Sequence, residues 1–231
     1  MERGAKNMGN TTFASDTRNR SLKQWVQGLF VLFVGLTIAH LGVSLFVLSE
    51  LGSDAFTVMI QGIARTIGVS IGTIHVCVLI LLMIVMAVTT KGYVKPGTVL
   101  CAFCGGWIID LFMWMFKDYI SADSGLFIRV AAMLAGVVIL SFGMSIVIES
   151  NSGTGPNDLI AIILTDKINE KKKVEFQTVR VICDLVFIGA GFLLGGKVGI
   201  GTVAAALLIG PTAQFFLPRS RAMIGKCFKG L

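Results

Sequence analysis

The sequence predicts an all-α integral membrane protein: six transmembrane helices as two inverted three-helix repeats, each with a short amphipathic or re-entrant helix after its first span. Composition, six apolar stretches of spanning length and an internal repeat carry that expectation. Of 231 residues, 55% are hydrophobic and 14% charged, and the mean hydropathy is +0.83. A soluble domain carries about a quarter charged residues, and a single core of this length cannot hide so much apolar surface from water. Lipid is the solvent that accepts it.

A bilayer core needs about 20 mostly apolar residues per helix. Six stretches qualify: Trp25–Leu48, Ile71–Thr90, Thr98–Phe116, Leu126–Ile148, Phe176–Gly195 and Ile200–Pro218. Asp54–Thr66 and Pro156–Ile168 are too short to span and are apolar on one side, as interfacial or re-entrant helices are. The chain divides into a mobile cytoplasmic tail (1–24), a first repeat (25–118), a second, inverted repeat (125–218) and a basic cytoplasmic tail (219–231). No secretory signal peptide is expected, because the first apolar run is too long and lacks a small-residue cleavage pattern.

The net charge of +7 is distributed as a topology signal and not as a nucleic-acid patch. With the N-terminus inside, 15 of the 20 Lys and Arg residues fall in cytoplasmic segments. The outer side receives Arg65, Lys117, Arg129 and Lys197, and Arg180 lies within a span. Positive charge is retained on the cytoplasmic side during insertion, so both termini are expected there. Five cysteines, four of them in apolar runs, do not form a disulfide framework.

The repeat is visible in aligned segments. Gly52-Ser53-Asp54-Ala55 lies over Gly153-Thr154-Gly155-Pro156, each after a long span and before a short helix. Val69 to Val76 lies over Val174 to Val181, Gly92 to Val99 over Gly196 to Val203, and Gly106 meets Gly210. The offsets are 101, 105 and 104 residues. Three spans per copy force the second copy to enter from the opposite side. That architecture recurs in secondary transporters with a site near the midplane; a duplicated scaffold without transport is the other reading.

Ser152-Gly153-Thr154-Gly155-Pro156-Asn157-Asp158-Leu159, then Arg180 and Asp184, then Gly195 to Val203 and Ala206 to Pro211 resemble the YczE/YitT family of bacterial multi-pass membrane proteins, which includes YyaS. The resemblance spans Gly35 to Pro218 and implies a bacterial cell-membrane protein, without naming a substrate. Where the family's first copy has a Gly-Pro-Trp-Asp pattern, this chain has Asp54-Ala55-Phe56-Thr57. The carboxylate matching Asp158 is therefore Thr57.

The candidate substrate or ion pathway comprises Asp184, Arg180, Asp110, Asp158, Thr154 and His75. Arg180 and Asp184 are four apart and share a helix face; a charge at mid-membrane costs roughly 2.5–3.5 kcal/mol. Asp184 lies roughly 12 Å into its span and Asp110 roughly 18 Å into its own. Arg180 either lines a pathway with these acids or pairs with Asp184 or Asp110 to lock helices together. At Gly153-Thr154-Gly155-Pro156, Thr154 or Gly155 is the expected N-cap and Pro156 the first helical residue. The exposed N–H groups of such an end attract anions, while Glu149 and Asp158 repel them, so a zwitterionic or amphipathic molecule suits both.

His75 aligns with Arg180, and His40 lies in the first span; each is a proton relay or a helix-to-helix hydrogen bond. Cys101 and Cys104 with His75 and Cys77 are a weak zinc set, better read as packing residues. Gly153, Gly155, Gly196, Gly199 and Gly201 are hinge or packing positions, and Lys171-Lys172-Lys173 faces anionic lipid. No catalytic residue, cofactor or metal is expected, and no Ser-His pair, zincin motif or nucleotide loop argues for an enzyme. The partners this reading allows are membrane lipids, a small-molecule substrate and further copies of the chain; it excludes nucleic acid. The leading expectation is a secondary transporter or permease, with or without coupling to an ion. The alternative is a non-transporting accessory or regulatory protein serving a membrane-associated partner.

Overall fold

The structure is a computed structural model and describes residues 20–90, 93–170 and 173–228. These form eight α-helices: α1 (Leu22–Ser49), α2 (Ala55–Ile67), α3 (Ile71–Thr89), α4 (Pro96–Phe116), α5 (Leu126–Glu149), α6 (Pro156–Asn169), α7 (Phe176–Leu193) and α8 (Ile200–Cys227). Local chemistry sets their starts. Ser21 and Gln24 form a reciprocal capping box before α1. Asp54 and Ser70 cap α2 and α3, while Pro96 and Pro156 open α4 and α6, where a missing N–H costs nothing.

Among the described residues, five helices are long and apolar enough to cross a membrane: α1, α3, α4, α5 and α8. The expected fifth span, α7, carries Arg180 and Asp184 and is not one of those five. Two boundaries differ from expectation. α1 begins three residues before Trp25, so 22–24 are helix and not tail; residues 1–19 lie outside the described residues, as do Lys171 and Lys172. α8 runs through Pro211 and Pro218 to Cys227, where a basic tail was expected from residue 219. Its last turns are held by contacts the hydropathy pattern does not show. Ser220 bonds Ser145 at 2.6 Å, Arg221 grips Glu149 with two bonds of 2.9 and 3.0 Å, and Ile224 packs with Val31 and Ile146.

α1 and α5 form the centre and run antiparallel, because Gly35 meets Ile146 while Gly42 meets Leu140 and Gly136. α4 packs on the flank of α1 and α8 on that of α5. α3 lies along α4, and α2 along α7. Ala39, Val43, Phe46, Ile109, Val137, Leu140 and Ala205 fill the interior where these helices meet.

The long central helices end in the same way. After α1, the Ser49 hydroxyl donates to Phe46 O (2.7 Å), Leu51 N–H donates to Ser49 Oγ (3.3 Å), and Glu50 is left-handed (φ 56°). After α5, Ser150 donates to Val147 O (2.6 Å), Ser152 N–H to Ser150 Oγ (3.3 Å), and Asn151 is left-handed (φ 49°). An arginine covers each set of free carbonyls: Arg129 donates to Ser49 and Glu50 (2.8 and 3.1 Å), and Arg20 to Asn151 (3.1 Å). Gly52 (φ 108°) and Gly153 (φ 141°) follow, in backbone conformations side chains disfavour. Each lies against the start of a helix of the other half, Gly52 at α8 and Gly153 at α4: Gly201 N–H donates to Leu51 O (2.8 Å), and Gly97 N–H to Ser152 O (3.0 Å).

Candidate functional site

The two stitched turns aim the amino-terminal ends of α2 and α6 into the protein, and α7 runs past both. At α6, Gly155 is the N-cap and Asp158 sits in the first turn. At α2, the Asp54 carboxylate accepts from Thr57 N–H (3.2 Å). From α7, Arg180 reaches Asp158 at 3.4 Å. The charges of Asp54 and Asp158 act on one another, and both act on Asp184, as does Arg180. One guanidinium therefore meets Asp158 and acts on Asp184, while Asp54 acts on both of those acids, beside two helix ends whose free N–H groups carry partial positive charge.

Arg180, Asp184 and Asp158 are thus brought together, but the ion pair is Arg180–Asp158 and not the expected pairing with Asp184 or Asp110. Thr154 is 8% exposed, inside the turn leading to α6. Asp54 is the residue the sequence reading missed. Its signal was the departure itself: the carboxylate absent at Thr57 is supplied three residues earlier by the N-cap.

Asp110 is elsewhere. It caps α3, accepting from Ser70 Oγ at 2.6 Å and from Gly72 N–H at 2.9 Å. Asp110→Ala is expected to cost about 1 kcal/mol, the range for a lost N-cap, and Asp110→Asn less. Unfolding midpoints in detergent micelles measure both; an Ala variant as stable as the parent removes the capping role. His75 is also apart from the acids, packed edge-on against His40 with ring centres 5.3 Å apart.

The glycine expectations resolve individually. A Cβ on Gly201 would meet Gly52 O at 2.6 Å, one on Gly153 would meet Thr98 N at 2.6 Å, and Gly199 and Gly196 approach Leu51 O and Val58 O as closely. Gly155 faces the Asn157 side chain. Among the described residues, no three His, Cys, Asp or Glu side chains converge as metal ligands. Cys77 is exposed while Cys101 is buried.

The far end of α2 is clamped to the α7–α8 turn. Arg65 donates to Gly195 O (3.0 Å), Thr66 donates to Leu194 O (3.1 Å), and Glu50 pairs with both Arg65 and Lys197. At the far end of α6 the Tyr93 hydroxyl, from the α3–α4 loop, donates to Asp166 (2.8 Å). Burial, with that bond second, pushes the Tyr93 phenol up to about 12.

The chain is 28% identical over 189 residues to the uncharacterized membrane protein YczE of Bacillus subtilis, covering 81% of this chain and 84% of that one. It is 27% identical over 185 residues to YyaS of the same organism (80% and 90% covered). An uncharacterized protein of Haemophilus influenzae is 32% identical over 187 residues (81% and 82% covered). No solved structure matches. With its apolar helices, these relatives identify a membrane protein and bear out the YczE/YyaS resemblance. A family model matches residues 26–218, and the chain belongs to that family, DUF6198, described as a family of unknown function.

Proposed function

We propose that this protein is a secondary transporter or permease for small zwitterionic molecules, with α7 as its sixth span and its site between two inverted repeats in a bacterial cell membrane, both termini cytoplasmic. The gathering of Arg180, Asp158, Asp184 and Asp54 at the amino ends of α2 and α6 supports this reading most. Such a site pairs a substrate carboxylate with Arg180 and the helix-end N–H groups, and a substrate cation with the acids. Charges this deep in an apolar protein are costly, and their usual use is a substrate or ion pathway.

The matching turns after α1 and α5, at the sequence-repeat offset of 101, support the inverted copies. An asymmetry between the copies supports movement. In the first, Gly72 of α3 lies against Gly106 of α4 in backbone contact. In the second, Gly210, the counterpart of Gly106, has open space, and α7 packs along α2 instead of α8. Exchange of these two arrangements is the rocking step of the mechanism.

The test is uptake of radiolabelled glycine betaine and neutral amino acids by proteoliposomes, comparing the parent with Asp184→Asn and Arg180→Gln variants that still insert. Uptake above protein-free vesicles, lost in both variants, is the expected result. Uptake that ignores both substitutions removes the site. A phenotype lost only on deleting residues 1–24 or the lysines at 171–173 moves the function to a cytoplasmic surface.

A further inference from the structure

Glu50 stands where the local backbone favours a different residue. It follows α1 in the left-handed conformation (φ 56°), which asparagine adopts more readily than glutamate. Its counterpart after α5, at the repeat offset of 101, is Asn151, in the same conformation (φ 49°). What glutamate adds at this position is its carboxylate. That group is partly buried and pairs with two cations, Arg65 at 3.5 Å and Lys197.

The two cations come from different halves of the chain. Arg65 lies in the last turn of α2, and Lys197 in the turn between α7 and α8. Arg65 also donates to Gly195 O and Thr66 to Leu194 O, which fastens the end of α2 to that turn. Beneath these bonds α7 runs close along α2. A Cβ on Gly191 would lie 2.6 Å from Val58 O, and the rings of Phe56 and Phe187 meet with centres 5.6 Å apart. The α2–α7 seam therefore runs from this face down to Asp54, the N-cap of α2. At the opposite face the equivalent repeat positions are Tyr93 and Asp166, offset by 104 from Lys197 and by 101 from Arg65. These two bond directly. Each face thus has its own link between a short helix and a turn of the other half.

We propose that Glu50, Arg65 and Lys197 form a latch that holds this face, the outer one in the proposed topology, closed over the carboxylate site. With the latch formed, α7 stays against α2. When it breaks, the α7–α8 turn leaves the end of α2 and water enters the seam. Arg65 keeps 43% of its side-chain surface and Lys197 41%, so both pairs are screened and weak enough to open. The use of the opening rests on the transport reading, but the latch itself needs no substrate.

Val58→Cys places a thiol under the seam, at a side chain with no exposed surface. The full chain in phosphatidylglycerol nanodiscs is treated with a water-soluble methanethiosulfonate, and mass spectrometry reads each cysteine separately. Adding Glu50→Asn suits the left-handed turn while removing the carboxylate. It is expected to speed labelling at position 58 about five- to tenfold. Lys197→Gln is expected to act in the same direction more weakly, since Arg65 remains, and it decides the matter if Glu50→Asn does not insert. Cys101, buried in α4, is the control and is expected to stay unlabelled. Unchanged labelling at position 58 overturns the proposal. So does a rise matched at Cys101, because Glu50 would then hold the whole fold. Faster labelling without uptake in proteoliposomes keeps the latch and removes the transporter, whereas uptake with unchanged labelling removes only the latch.

Discussion

Replacing Arg180 with glutamine is expected to destabilise the protein by about 1–3 kcal/mol, and adding Asp158→Asn is expected to restore most of the loss. Removing one partner of a fully buried ion pair costs about 3–5 kcal/mol, because the remaining charge is left without compensation. Arg180 keeps 34% of its side-chain surface and Asp158 26%, so solvent screening reduces that figure. Arg180 also faces Asp184, and through it the charge of Asp54. Its removal leaves three carboxylates repelling one another, and neutralising Asp158 relieves the nearest of them. Asp158→Asn alone therefore costs less than Arg180→Gln. A double-mutant cycle on unfolding free energies in mixed micelles isolates the coupling. Equal losses in both single variants with no recovery in the double would mean that Arg180 is held by something other than these acids.

Much of the fold was legible because membrane spans announce themselves. Apolar runs bounded by Ser21, Ser70, Pro96 and Pro156 place most helix starts within a few residues, and the short helices follow from the glycine turns before them. Where tertiary contacts decide, the sequence was silent. Spacing of four made Asp184 the natural partner of Arg180, but α6 brings Asp158 into reach from 22 residues away. Asp110 looked like a deep acid by counting along its helix. Only the packing of α3 on α4 shows that Ser70 and Gly72 use its carboxylate. Asp54 read as a departure from the family pattern, and its place among the acids depends on the fold bringing it near enough to Asp158 and Asp184 for their charges to interact. His40 and His75 lie 35 residues apart on different helices, and no periodicity joins them. The helical extension of α8 past Pro218 depends on Ser145, Glu149 and Val31, none of them local to it.

Leucine at Gly143 is expected to prevent folding altogether, the largest effect of any single substitution considered. The crossing of α1 and α5 is so close that a Cβ at Gly143 would penetrate the backbone of Ala39, and one at Gly42 would lie 2.5 Å from Leu140 N. Small residues permit such approach, and in lipid, where no hydrophobic force drives helices together, close packing is a main source of association. Overpacking a core costs about 1–3 kcal/mol when neighbouring side chains can adjust. Here the obstacle is helix backbone, which can yield only by separating the two central helices and, with them, both turns that position α2 and α6. The loss therefore exceeds about 3 kcal/mol, and the variant should give no monodisperse peak in detergent size-exclusion chromatography. Gly189→Ala is the matched control. A Cβ there meets nothing, and alanine favours helix by about 1 kcal/mol over glycine, so that variant should run as the parent does or melt slightly higher. A folded Gly143→Leu protein with an unchanged melting temperature would show that α1 and α5 do not cross at these glycines, and the arrangement of the site built on their ends would go with it.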